Sequence, residues 1–175
     1  MSRVAAVVLA AGEGSRFGGA KQVLTLPAVL ERLAASGTLD EIVVVEGAHP
    51  LEDAAGSARV VRCEDWALGP GASLRAGLGA LGDDVDAAMV ILADGPDLSP
   101  EAVAFVRESW ERDGGEVVAA SYEGVRGHPL LVARSAWPSV PDEGLRALTP
   151  RLVACDQFGA PGDVDRPDDL PDRLR

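Results

Sequence analysis

Apolar runs without polar alternation recur along the chain, and each one closes on glycine, proline or acidic residues. Arg3 to Ala11 is rich in Val, Ala and Leu and predicts a strand buried on both faces of a parallel sheet. Glu41 to Glu46, with IVVV inside, and Ala58 to Arg62 predict a second and a third strand. Ala87 to Ala93 (AAMVILA) predicts the most apolar one. Glu116 to Ser121 and Arg151 to Cys155 are also strand-like, and Gly124 to Arg134 reads as a glycine-bearing loop leading into a further strand. Helical spacing lies between these runs. Leu26, Val29, Leu30 and Leu33 predict a helix over Leu26 to Ser36, with Pro27 in its first turn and Gly37 as its stop. A glycine-proline loop after Asp65 passes into a helix near Ala72 or Ser73, and Ser99-Pro100 predicts the cap and first position of a helix running to about Arg112. Alternating β and α segments predict a three-layer α/β/α sandwich around a mostly parallel, Rossmann-like sheet, with the site at the carboxyl ends of the strands.

Composition narrows this picture. A chain of 175 residues fits one domain with its own core. The net charge of −12 repels phosphodiester backbones, so nucleic acid is not an expected partner, and an anionic substrate must be met by local cations. Cys63 and Cys155 stand alone, without C-x-x-C spacing or a histidine-rich companion, which suggests neither zinc nor a disulfide framework. No basic cluster precedes Val4 to Ala11, as a secretion signal would require, and no stretch approaches bilayer length. No internal repeat or low-complexity run is present. A cytoplasmic protein without membrane association is the expectation.

Candidate chemistry begins where the first strand stops. Gly12, Gly14, Gly18 and Gly19 allow successive N–H groups to face one concavity and cradle phosphate, Ser15 adds a hydroxyl, and Arg16 and Lys21 add charge. A purely structural turn does not need those cations. Gly12-Glu13-Gly14 also begins a dinucleotide fingerprint, but Phe17 stands where a third small residue is needed. No Gly-Lys-Ser or Gly-Lys-Thr follows, which excludes the lysine loop of nucleoside triphosphatases. Asp94, at the end of the most apolar strand, is placed where open α/β sheets bind ligands and is a candidate metal ligand, whereas Asp97 shapes a turn. Arg75, read into a first helical turn, is unfavourable for the helix dipole and so either reaches solvent or is kept for an anion. His128, beside Gly127 and Pro129, reads as structural more readily than as a proton carrier. The acids from Asp163 to Asp169 suit a solvated loop and a helix cap.

LAAGEGSRFGGAK, LADGPDLSP, the run from Trp66 to Arg75, GVRGHPL and the tail DVDRPDDL together resemble the MobA-like nucleotidyltransferase family, nearest its molybdenum cofactor cytidylyltransferase branch. The resemblance spans nearly the whole chain and implies the nucleotide-diphospho-sugar transferase fold. It assigns Leu9, Ala10, Ala11, Gly12, Gly14 and Ser15 to the nucleotide, with Arg16 and Lys21 on its phosphates. Leu68, Gly69, Gly71, Ser73, Leu74 and Arg75 would line base and ribose. Asp94 would hold Mg²⁺, joined by Asp163 or Asp165, while Arg126 and His128 are candidate acceptor contacts. The segment after Lys21 is shorter than the family's, Gly95 replaces a Met, and Arg166 replaces a Thr.

The implied reaction moves a nucleoside monophosphate, from CTP, onto a small phosphorylated acceptor such as molybdenum cofactor and releases pyrophosphate. A cofactor-receiving enzyme is the implied partner. Guanylyl transfer and transfer to a sugar or polyol phosphate stay open within the class. Outside it stand a nicotinamide-dependent oxidoreductase, with Glu46 as ribose ligand, and a non-catalytic nucleotide-binding relative.

Overall fold

The computed structural model describes residues Met1–Arg175. Its sheet holds seven strands, β1 (Val4–Ala10), β2 (Glu41–Glu46), β3 (Arg59–Arg62), β4 (Ala87–Leu92), β5 (Val117–Tyr122), β6 (Val125–Ala133) and β7 (Arg151–Ala154), in the order β3-β2-β1-β4-β6-β5-β7. β6 runs antiparallel to both of its neighbours, and every other pairing is parallel. The helices are α1 (Gln22–Ser36), α2 (Glu52–Ala55), α3 (Pro70–Gly79) and α4 (Pro100–Asp113).

The non-alternating apolar runs are explained by burial on both sides. In β1, Val4, Ala6, Val8 and Ala10 pack in one layer with Leu26, Val29 and Leu33 of α1 and Val103 and Val106 of α4. Ala5 and Val7 point the other way, into the layer of Leu74 and Leu78 on α3. Each fully buried Leu or Val stabilises by about 1.5–3 kcal/mol relative to exposure. The three-layer sandwich is thus the architecture, and no helix is long and apolar enough to cross a membrane.

Chain order sets the position of the site. From β1 the chain moves outward through β2 to β3, then returns to place β4 on the other side of β1, with Leu9 opposite Leu92. Strand order therefore reverses between β1 and β4, and the loops that leave them sit side by side at adjacent carboxyl ends, the place where open α/β sheets bind ligands.

Three boundaries differ from the sequence reading. α1 starts at Gln22, directly after Lys21, so Pro27 falls in its second turn. Val23 and Leu24 are exposed despite being apolar, which hid this extra turn from a reading based on buried spacing. α3 starts at Pro70, which occupies its first turn and needs no amide donor there. The segment read as a loop from Gly124 is strand from Val125 onward, because pairing with β5, and further along with β4, overrides the weak strand signal of Gly127 and Pro129.

Candidate active site

The loop after β1 is wound on one carbonyl. Gly14 O accepts from the N–H groups of Phe17 (3.0 Å), Gly18 (2.9 Å) and Gly19 (3.3 Å). Gly14 has φ +69°, and a Cβ there would lie 2.1 Å from Gly19 O, so no other residue fits this turn. The coil leaves the N–H groups of residues 12–16 without any intramolecular hydrogen bond. Adjacent free donors next to Arg16 and Lys21 form a concavity suited to anions.

Opposite the loop stands the turn after β4. The tail docks onto it through backbone bonds, Val164 N–H to Asp94 O at 2.9 Å and Asp97 N–H to Pro161 O at 2.9 Å. Val164 is buried, and Asp163 and Asp165 flank it. One carboxylate oxygen from each of Asp94, Asp163 and Asp165 lies within 4.8 Å of the other two, so both tail acids join the cluster. Lys21, 8% exposed, threads into it: Nζ donates to Asp94 Oδ2 at 3.0 Å and to Val164 O at 2.6 Å, and lies 3.5 Å from Asp165 Oδ1. Arg16 pairs with Asp165 as well. Burial, then the charges of Asp94 and Asp165, push the Asp163 carboxyl above the ordinary carboxylate range, and Lys21 only partly offsets them. Three acids crowded around one ammonium and one guanidinium are short of positive charge, and an all-oxygen donor set of this kind suits a hard divalent cation.

Two cavities meet at Asp94. The first, about 230 Å³, is lined by Leu9, Ala10, Gly12, Gly14, Ser15, Arg16, Lys21, Gln22, Leu92, Ala93, Asp94 and Asp165. The second, about 430 Å³, lies between Ile91, Leu92 and Leu98, Tyr122 and Val125, and the 160–163 segment, with Arg126, His128 and Asp163 in its wall. Two of its polar side chains are already engaged. Arg126 donates to Leu148 O at 2.7 Å and to Leu145 O, and Tyr122 Oη donates to His128 O at 2.8 Å. Desolvation, then the neighbouring Arg126 charge, lowers the His128 pKa to about 4, so its imidazole is neutral near pH 7.

The structure thus gathers Leu9, Ala10, Gly12, Gly14, Ser15, Arg16, Lys21, Asp94 and Asp165 around one cavity, with Ala11 buried just behind, and Asp163, Arg126 and His128 around the next. It sets the run from Leu68 to Arg75 apart from both. Leu68 is 76% exposed on a different hollow. Gly69 and Gly71 face the 141–142 backbone, where a Cβ on Gly71 would come within 2.2 Å of Pro141 O, and Ser73 is buried inside α3. Arg75 is not in a first turn. It sits mid-helix and its anion is internal, Asp142 at 2.9 Å, with Val140 O at 3.1 Å. Glu46 is 3% exposed and accepts from Leu51 N–H at 2.7 Å, which removes it as a ribose ligand. Gln22 also lines the cavity, and the sequence does not signal it because the exposed Val23 and Leu24 conceal the first turn of α1 that places it there.

Fold and site together define a nucleotidyltransferase-type α/β domain. The chain belongs to the MobA-like NTP transferase domain family, whose model matches residues 6–155. Rv0371c from Mycobacterium tuberculosis H37Rv is similar in structure, with 25% identity, TM-score 0.77, and coverage of 96% of this chain and 95% of its own. The Rv0371c complex with manganese gives 24% identity, TM-score 0.73 and 96% coverage of each chain. Molybdopterin-guanine dinucleotide biosynthesis protein A from Archaeoglobus fulgidus shares the fold at 18% identity, with TM-score 0.69 and coverage of 97% and 96%. No curated protein matches.

Proposed function

We propose that this chain transfers a nucleoside monophosphate, CMP from CTP, onto a phosphorylated acceptor of the molybdenum cofactor type and releases pyrophosphate. The observation that carries the reading is the row of unpaired N–H groups over residues 12–16, which shares a cavity with Arg16, Lys21, Asp94 and Asp165. Those N–H groups and Arg16 bind and orient the triphosphate. Donors fixed before the reaction cost no reorganisation as charge builds on the leaving pyrophosphate.

Asp94, Asp163 and Asp165 would hold a divalent cation, Mg²⁺ in this proposal. Their oxygen donors fit it, and the fold neighbour Rv0371c is in complex with manganese. When bound, the cation neutralises charge on the phosphates and on the pyrophosphate that leaves. Lys21 partly offsets the repulsion among the three acids in the meantime and stands ready to turn from Asp94 to a phosphate oxygen. The acceptor occupies the second cavity, whose apolar wall excludes water. Its phosphate is already ionised at neutral pH and needs no base, which agrees with a neutral His128 acting as a wall and hydrogen-bonding group. The Leu68–Arg75 run lines neither cavity, so it enters this reading only if it closes over a bound base.

The test is a competition assay with molybdenum cofactor, all four ribonucleoside triphosphates and Mg²⁺, following nucleotide incorporation and pyrophosphate. Incorporation of CMP is expected. Incorporation of GMP instead would overturn the donor, and activity only on a sugar or polyol phosphate would overturn the acceptor.

A further inference from the structure

Gln22 lines the loop cavity, yet the reaction above gives it no part. It is the first residue of α1, 4% exposed, and its Nε2 donates to Gly12 O at 3.1 Å. Its Oε1 is buried and has no hydrogen-bond partner in the protein. Buried polar atoms are ordinarily paired, so an orphaned oxygen on a side chain that lines a ligand cavity points to what enters that cavity. Turning the amide over does not relieve it, since that would set Oε1 against the Gly12 carbonyl, one acceptor facing another. The Gly12 carbonyl therefore commits Oε1 to accepting. A phosphate oxygen is an acceptor too and is excluded as its partner.

We infer that Gln22 is a recognition residue for the bound nucleotide, its Oε1 accepting a hydrogen bond from an O–H group that enters with the triphosphate. A ribose hydroxyl and a water on the divalent cation are the two sources of such a donor. The inference rests on the triphosphate reading above and adds to it a preference that the phosphate cradle alone cannot supply, because phosphate is common to ribo- and deoxyribonucleotides.

The experiment is calorimetric titration of the full chain with CTP, 2′-deoxy-CTP and 3′-deoxy-CTP in the presence of Mn²⁺, and with Mn²⁺ alone, for wild type and for Gln22→Met. With a ribose donor, wild type binds CTP about tenfold more tightly than one deoxy analogue, the effect of one hydrogen bond. Gln22→Met loses that preference. With a metal-bound water as donor, the ribose preference is unchanged and Gln22→Met binds Mn²⁺ about tenfold more weakly. The melting midpoint of Gln22→Met stays near wild type, since the substitution removes an unpaired oxygen together with the Gly12 bond. Should that variant fail to fold, Gln22→Leu, also apolar and of similar volume, takes its place with the same expectations. Unchanged ribose preference together with unchanged Mn²⁺ affinity in Gln22→Met would overturn the inference. Absence of CTP binding by wild type would overturn the triphosphate reading itself, a result seen before any substitution is made.

Discussion

The two cavities that share Asp94 are built in different ways, and the difference separates charge handling from shape. The loop cavity comes largely from one short stretch, residues 9–22, closed by Leu92 to Asp94 and Asp165. Its charges are held by one another, Lys21 to Asp94 and Arg16 to Asp165, so a bound metal–triphosphate would replace internal ion pairs with equivalent ones. The larger cavity is assembled from three separated segments, and the Arg126 and Tyr122 side chains in its wall are spoken for by backbone carbonyls. The first can exchange partners; the second presents a largely apolar wall in a fixed shape.

Asp94 belongs to both cavities, so its removal should have the largest effect. Asp94→Asn keeps volume and a hydrogen bond for Lys21 but deletes one charge, and turnover should fall about a thousandfold while the melting midpoint moves by less than about 2 °C. Turnover near the wild-type level would separate Asp94 from the chemistry. Lys21 lines the loop cavity and not the larger one, so Lys21→Met tests the former. CTP affinity should drop about a hundredfold, as a nearly buried cation is lost from the phosphate site, with the KM for the acceptor unchanged. An equal rise in the acceptor KM would erase the distinction between the cavities.

His128 tests the larger cavity through pH. Its folded pKa of about 4 lies below the ordinary value of 6.5, so the unfolded chain binds the extra proton first. Stability is full above pH 6.5 and is lost as pH falls toward 4, by about 2 kcal/mol for a half-buried ring. His128→Gln should flatten that part of the stability profile in urea unfolding, with turnover at pH 7.5 within about threefold of wild type. A large loss of turnover at that pH would make His128 a proton carrier after all. The stability of the metal-free protein should respond least of all, at Asp163. Its raised pKa means that ionisation costs stability as pH rises through the carboxylate range, so Asp163→Asn should raise the metal-free melting midpoint at pH 7. Solvent screening of this exposed group keeps the gain below about 1 kcal/mol, roughly 2 °C. A lowered midpoint would mean that Asp163 is held by favourable contacts and is not under like-charge strain.

Legibility in the sequence followed the same division. The loop from Gly12 to Lys21 could be read as an anion cradle because its donors and cations are contiguous, and β1 and β4 because burial on both faces suppresses alternation. Asp94 was visible from its position at a strand end. Asp163 and Asp165 are not distinguishable from a solvated acidic tail on physical grounds, since long-range contacts bring them across: the backbone bonds from Val164 to Asp94 and from Asp97 to Pro161, and the Lys21 and Arg16 side chains on Val164 and Asp165. Likewise, the glycines and proline of β6 look like loop residues until β4 and β5 pair with them. Arg75 departs from its expected place for a simpler reason. Pro70 starts α3 earlier than its apolar spacing indicates, and Asp142, far along the chain, supplies the anion.

The central claim is that the loop cavity takes a metal-bound triphosphate, and calorimetric titration of the wild-type chain with CTP, GTP and NADPH, each with and without Mg²⁺, tests it most directly. Binding of a triphosphate that strengthens with Mg²⁺, with CTP the tighter of the two, is the predicted result; tight, metal-independent binding of NADPH without triphosphate binding would contradict it.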